Sequence, residues 1–168
     1  MNDEKKKRIA ILPGSYDPMT LGHLNILQRS AKLYDQVYLA LMINSDKKYT
    51  FDLETRIEIA ELSCVGIPNV KVIYDGGMLA DLAKRLGCSA IIKGVRNSAD
   101  FEYEKKMAEF NRRLAPDVET LLMPCDDKMG EISSTAVREL FESGRADQAE
   151  KLLAKGVADI IRKTEVYK

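Results

Sequence analysis

Ile9-Ala-Ile-Leu-Pro-Gly-Ser-Tyr-Asp-Pro-Met-Thr-Leu-Gly-His23 is an apolar run that breaks into a loop marked by glycine and proline and ends on the only histidine of the chain. Ile9 to Leu12 has the length and composition of a buried strand, and Pro13, Gly14, Asp17 and Pro18 predict an irregular stretch after it. From Leu21 onward apolar residues return at helical spacing, at Leu24, Leu27, Ala31 and Tyr34, which puts Gly22 and His23 in or near a first helical turn. Such a turn offers unpaired backbone N–H groups that favour an anion, so the unit has the outline of a phosphate site. Gly22 lets a ligand approach the backbone, and Ser15, Thr20 and His23 can each donate a hydrogen bond into the same space. Either Thr20 caps the helix and His23 merely satisfies a local carbonyl, or His23 donates to a bound phosphate. Its place after strand, glycine loop and helix start favours the donor.

Working outward, Val37 to Ile43 reads as a second buried strand, too continuously apolar for a sheet wetted on one face. The polar loop Asn44 to Lys48 leads to Asp52, an N-cap candidate, and to a helix with Leu53, Ile57, Ala60 and Cys64 on one face. Val70 to Tyr74 is a third strand. Asp75-Gly-Gly77 then precedes a helix carrying Leu79, Leu82, Ala83 and Leu86, with Gly87 placed to end it. A fourth strand spans Ala90 to Ile92. A second glycine loop with two cations, Lys93-Gly-Val-Arg-Asn97, opens onto a helix from Phe101 to Leu114 whose apolar stripe is Tyr103, Met107, Phe110 and Leu114. Glu119 to Met123 is a fifth strand. Beyond the irregular Pro124 to Glu131, the hydroxyls of Ile132-Ser-Ser-Thr135 can cap a helix containing Val137, Leu140 and Phe141, and two short helices parted near Gly156 follow.

Strands alternating with helices predict an α/β fold: a single Rossmann-like, doubly wound domain over residues 1–168, with a five-stranded parallel sheet, C-terminal helices and a flexible tail at 1–7. At 168 residues one core can bury about two-thirds of the unfolded surface. Ligands of doubly wound sheets bind at the carboxyl ends of the strands. Ser15 to His23, Lys47, Lys93 to Arg96 and Ser133 to Thr135 each follow a strand, so four separate loops converge on that edge. Lysine and arginine total 26 against 26 aspartate and glutamate, which leaves no basic field for nucleic acid or an anionic membrane. Cys64, Cys88 and Cys125 are odd in number and widely spaced, and with one histidine they argue against a disulfide frame or a zinc site and for three reduced cytoplasmic thiols. No apolar run reaches the ~20 residues of a membrane span. The basic Lys5-Lys-Lys-Arg8 is followed by no signal-type apolar region.

Thr20-Leu-Gly-His23 after Gly14-Ser-Tyr-Asp-Pro18 resembles the T/H-x-G-H signature of a nucleotidyltransferase superfamily. Lys93-Gly-Val-Arg-Asn-Ser-Ala-Asp-Phe-Glu-Tyr-Glu104, Asn111 and Ile132-Ser-Ser-Thr135 narrow the match, and over nearly its whole length the chain resembles the bacterial phosphopantetheine adenylyltransferases. The resemblance implies reversible adenylyl transfer from ATP to 4′-phosphopantetheine, giving dephospho-coenzyme A and pyrophosphate, with magnesium (Mg2+), in a cytoplasmic homohexamer. By position it makes His23 and Lys47 catalytic. It assigns ATP to Ser15, Tyr16, His23, Gly94, Val95, Arg96, Glu104, Met129, Gly130, Glu131, Ile132, Ser133, Ser134 and Thr135. Phosphopantetheine falls to Ser15, Lys47, Leu79 and Lys93, and no residue is assigned to a metal. This sequence departs from the family pattern at Ser15, often threonine, at Lys93, often arginine, and at Lys128-Met-Gly-Glu131, where many members carry an aromatic residue. A related transferase acting on nicotinamide mononucleotide or glycerol phosphate is disfavoured by Lys93 to Glu104. A non-catalytic nucleotide sensor has no evident use for Lys47 and Lys93.

Overall fold

The computed structural model describes residues 6–168, so the tail expected at 1–7 lies mostly outside the described residues. Along the chain come β1 (Ile9–Gly14), α1 (Leu21–Ala31), β2 (Gln36–Met42), α2 (Leu53–Ser63), β3 (Val70–Asp75), α3 (Leu79–Arg85), β4 (Ala90–Val95), α4 (Ser98–Leu114) and β5 (Glu119–Pro124). A 3-10 turn (Asp127–Met129), α5 (Ser134–Glu142), α6 (Ala146–Glu150) and α7 (Val157–Lys163) complete it. All neighbouring strands are parallel, in the order β3-β2-β1-β4-β5. The predicted doubly wound α/β sheet is therefore what forms, and its strand order reverses between β1 and β4.

Each central strand is apolar on both sides because both faces of the sheet are covered. Ala10, Leu12, Val37, Leu39, Leu41, Ala90 and Ile92 join one core with α1, α2 and α5 to α7. Ile11, Ala40 and Ile91 point the other way, into a smaller core with α3 and with Ala115 and Val118 beyond α4.

β1 runs two residues past its predicted end, through Pro13 and Gly14, and a proline inside a central strand needs a physical reason. The Ile9 carbonyl accepts from Ser89 N–H, so Ile9, Ile11 and Pro13 direct their backbone groups toward β4. The β1–β4 ladder is registered only at Ala10↔Ala90 and Ile11↔Ile91, whereas β1–β2 continues to Gly14↔Leu41. Pro13 therefore lacks its N–H where no strand asks for it. The two strands part there and open a crevice at the reversal of strand order, the usual ligand position in this architecture.

The structure also refines the reading of β4, α1, α2 and α4. Lys93, Gly94 and Val95 are not loop but the end of β4, paired with Leu122, Met123 and Pro124 of the edge strand β5. On α2 the buried residues are Arg56, Ile59, Ala60 and Ser63, with Leu53, Ile57 and Cys64 packed at the margin of the core; on α1 they are Gly22, Ile26, Leu27 and Ser30. The α4 stripe does not enter the core at all. Tyr103 is 63% exposed and Phe110 45%, and Phe101, Met107 and Leu114 are exposed beside them, because α4 docks on β5 and α3 largely through its other side.

Candidate active site

A cavity of about 350 Å³ occupies the crevice, and His23 lines it from the first turn of α1. The Thr20 N–H donates to His23 Nδ1 at 3.0 Å, and the Thr20 hydroxyl lies 3.1 Å from the same nitrogen. Since Nδ1 must accept, the neutral ring carries its proton on Nε2. The local partner of His23 is thus the Thr20 N–H rather than a carbonyl: one nitrogen completes a capping box, and the other remains a donor. Burial of the ring, and after it the charges of Arg96 and Lys93, push the His23 pKa from 6.5 down to about 4. Near pH 7 the ring is a neutral donor.

The loop beneath it is fixed by close contacts. Tyr16 adopts φ 47°, donates its hydroxyl to the Leu12 carbonyl at 3.0 Å and meets the His23 ring edge to face at 5.0 Å. A Cβ at Gly14 would stand 3.0 Å from the Tyr16 ring, so only glycine lets that ring lie against the strand. A Cβ at Gly22 would stand 3.0 Å from the Ile132 carbonyl and 3.6 Å from that of Met129; its absence lets the segment before α5 close over α1. The buried Asp17 carboxylate accepts from Thr50 N–H at 2.8 Å and Phe51 N–H at 2.9 Å. On the other side Ser134 donates to the Pro18 carbonyl and Arg138 to that of Asp17, each at 2.7 Å. Ser133 caps α5 through Ala136 N–H.

Two ion pairs stand on the cavity wall. Lys93 Nζ lies 3.3 Å from Glu104 of α4, and Arg96 Nε lies 3.0 Å from Asp100. Both are partly exposed, and an incoming polyphosphate can exchange with either carboxylate as the partner of its cation.

The cavity wall gathers Tyr16, His23, Lys93, Gly94, Arg96, Glu104, Met129, Ile132, Ser133, Ser134 and Thr135 from the expected set. Ser15 and Lys47 lie beside it, joined by a 2.7 Å hydrogen bond from Nζ to Oγ. Val95 is buried inside β4, while Gly130 and Glu131 follow the 3-10 turn without lining the cavity. Leu79 is the first residue of α3 and packs against the smaller core without lining the cavity. Sequence reasoning missed the apolar floor of Leu12, Ile26 and Ile92, the wall residues Asp100 and Cys125, and Arg56, which is buried and donates to the Ser15 carbonyl at 2.9 Å. The signal for Arg56 was a charge at helical spacing with Ile59, Ala60 and Ser63, on the stripe that faces inward.

The comparisons with known proteins agree with this geometry. The Cytidylyltransferase-like family model matches residues 11–140. A phosphopantetheine adenylyltransferase of Caldanaerobacter subterraneus subsp. tengcongensis is 44% identical over 82% of this chain and 86% of its own. One from Actinobacillus succinogenes is 44% identical over 84% and 88%, and one from Clostridium botulinum is 37% identical over 95% and 99%. In fold, the chain is similar to the Plasmodium falciparum nicotinic acid mononucleotide adenylyltransferase complexed with NaAD, with a TM-score of 0.70 at 16% identity over 96% of this chain and 97% of that one. With a cleft at the reversal of strand order, a donor histidine at the head of α1 and relatives of this identity over most of its length, the chain belongs to the cytidylyltransferase-like family and, within it, to the phosphopantetheine adenylyltransferases.

Proposed function

We propose that this chain, working as one domain, transfers an adenylyl group reversibly from ATP to 4′-phosphopantetheine, forming dephospho-coenzyme A and pyrophosphate in coenzyme A biosynthesis. The observation that carries it is the neutral His23 donor, fixed by Thr20 in a crevice flanked by Ser15 and Lys47 on one side and Lys93 and Arg96 on the other. The acceptor phosphate is already an anionic nucleophile and needs no general base. What remains is placement and charge: attack on the α-phosphorus crowds negative charge onto its equatorial oxygens, and His23 Nε2–H and Lys47 strengthen their hold there. Ser15, Lys47 and Lys93 take the acceptor phosphate, with Leu79 on the acceptor's apolar arm. Arg96, leaving Asp100, neutralises the departing pyrophosphate, and Glu104 with the segment from Met129 to Thr135 surrounds the nucleotide.

Magnesium enters as part of the substrate. Among the described residues no three histidine, cysteine, aspartate or glutamate side chains gather as a metal cage, and the ion that screens a triphosphate is held chiefly by phosphate oxygens and water. We place the enzyme in the cytoplasm as a homohexamer; no described helix is long and apolar enough to cross a membrane, and the exposed stripe of α4 suits burial between copies. The reaction is tested by pyrophosphate release from ATP with phosphopantetheine, nicotinamide mononucleotide and glycerol phosphate in parallel. Release with phosphopantetheine alone is expected, and release with either rival instead would overturn the reading. Light scattering on a gel-filtration column reads the assembly, with six copies of the 18.9 kDa chain expected.

A further inference from the structure

Arg56 is 2% exposed and ranks among the most completely buried large side chains. Among the described residues it forms no ion pair within 4 Å, and its buried Nε has no hydrogen-bond partner. A guanidinium buried this way is unfavourable unless something compensates its charge. The Asp52 carboxylate at the head of α2 feels its charge without forming an ion pair, and its close side-chain contacts are two: it donates to the Ser15 carbonyl at 2.9 Å, and it stacks on the Tyr49 ring at 3.8 Å. The same ring faces Lys47 Nζ at 5.6 Å, and Lys47 in turn donates to Ser15 Oγ at 2.7 Å. Tyr49 is itself held at its far end, accepting from Asn44 N–H at 2.9 Å and donating to the Met42 carbonyl at 3.2 Å. Two cations that no carboxylate contacts within 4 Å among the described residues therefore grip one serine, one by its carbonyl and one by its hydroxyl, and share one aromatic ring.

We propose that Arg56, braced by Tyr49, is a positioning residue for the acceptor phosphate: it locks the Ser15 backbone so that Ser15 Oγ and Lys47 Nζ meet the phosphate as one preorganised unit, and its charge, which no carboxylate contacts directly, favours a dianion there. The proposal rests on the functional reading above for the identity of the acceptor, though not for the phosphate itself. Arg56 does not touch the ligand. It acts through Ser15, and the charge-assisted bond it makes is of a kind whose loss costs about 10- to 100-fold in an equilibrium.

The test compares wild type with Arg56→Gln, Arg56→Lys and Tyr49→Leu, by melting curves and by calorimetric titration with phosphopantetheine, pantetheine, ATP and inorganic phosphate. Arg56→Gln should weaken phosphopantetheine about 10- to 100-fold while pantetheine and ATP stay within about twofold. Arg56→Lys, which keeps the charge but lacks the planar fork, should fall between it and wild type, as should Tyr49→Leu. In a Ser15→Ala background the further loss from Arg56→Gln should shrink, since the hydroxyl it positions is gone. Equal weakening of phosphopantetheine and pantetheine, equal weakening of ATP, or a lower melting temperature with unchanged affinities in the folded protein overturns the proposal. If Arg56→Gln does not fold, Arg56→Lys and Tyr49→Leu decide by the same criteria. Should wild type ignore phosphopantetheine yet bind inorganic phosphate in an Arg56-dependent way, the acceptor assignment falls and the positioning role stands. Should it bind neither, both fall.

Discussion

Replacing His23 with asparagine separates the two tasks that the structure gives to one ring. The Asn Oδ1 stands where Nδ1 accepts the Thr20 N–H, and nothing stands where Nε2–H donates. His23→Ala removes both. Either variant loses the edge-to-face contact with Tyr16, worth about 0.5–1.5 kcal/mol, so both should melt somewhat below wild type. The alanine variant also strands the Thr20 N–H, a capping loss of about 1 kcal/mol, and should melt roughly 2–4 °C below the asparagine variant in a chain of this length. Turnover should respond to the other nitrogen. Loss of one preorganised donor to a developing oxyanion costs about 100- to 1,000-fold in turnover, or ~2.7–4 kcal/mol, and both variants should show that loss alike with KM values little changed. Steady-state pyrophosphate release and melting curves on the same preparations read the two effects. If His23→Asn turns over within about threefold of wild type while folded, the Nε2–H does not stabilise the transition state. If activity tracks only the folded fraction in both, His23 is a capping residue and no more.

Other outcomes follow from the same geometry. Burial and the neighbouring cations hold His23 near pKa 4 in the folded protein against 6.5 in the open chain, so the unfolded state binds the extra proton between those values. The stability tied to a neutral His23 is full above pH 6.5 and is lost as pH falls toward 4, by at most ~3 kcal/mol before the ring's partial exposure is discounted; wild type should lose more stability over that window than His23→Asn, and parallel curves would refute it. Gly22→Ala forces a Cβ to 3.0 Å from the Ile132 carbonyl and should cost about 1–3 kcal/mol while raising the KM for ATP more than that for the acceptor. Lys47→Ala should weaken phosphopantetheine and spare ATP in calorimetry, and the reverse order would remove Lys47 from the acceptor side. Burial pushes the Cys64 and Cys88 thiols up to about 11 and also raises Cys125, so none is a ready thiolate; a folded triple serine variant should keep its turnover, and losing it would assign a thiol to the chemistry.

The alternation of apolar runs with amphipathic stretches was enough to establish five strands, their intervening helices and a sheet covered on both faces, because those periodicities are local and survive without any knowledge of neighbours. The Thr20 to His23 and Lys93 to Glu104 motifs were legible for the same reason: each lies within one loop and the element beside it. Local reading failed where a partner decides. Pro13 sits in a central strand because β4 has already parted from β1 at that level, and Lys93 to Val95 is strand because β5 pairs with it. The α4 stripe has the period of a core helix and yet faces outward, since period says that a face exists but not what will cover it. Arg56 was readable as a charge on a buried stripe, but only the fold brings it to a serine 41 positions away and beside a ring shared with Lys47. The sequence thus carried the elements and the chemistry inside each loop, and tertiary structure alone chose the pairings between loops, because contacts of long sequence separation leave no periodic trace in the chain.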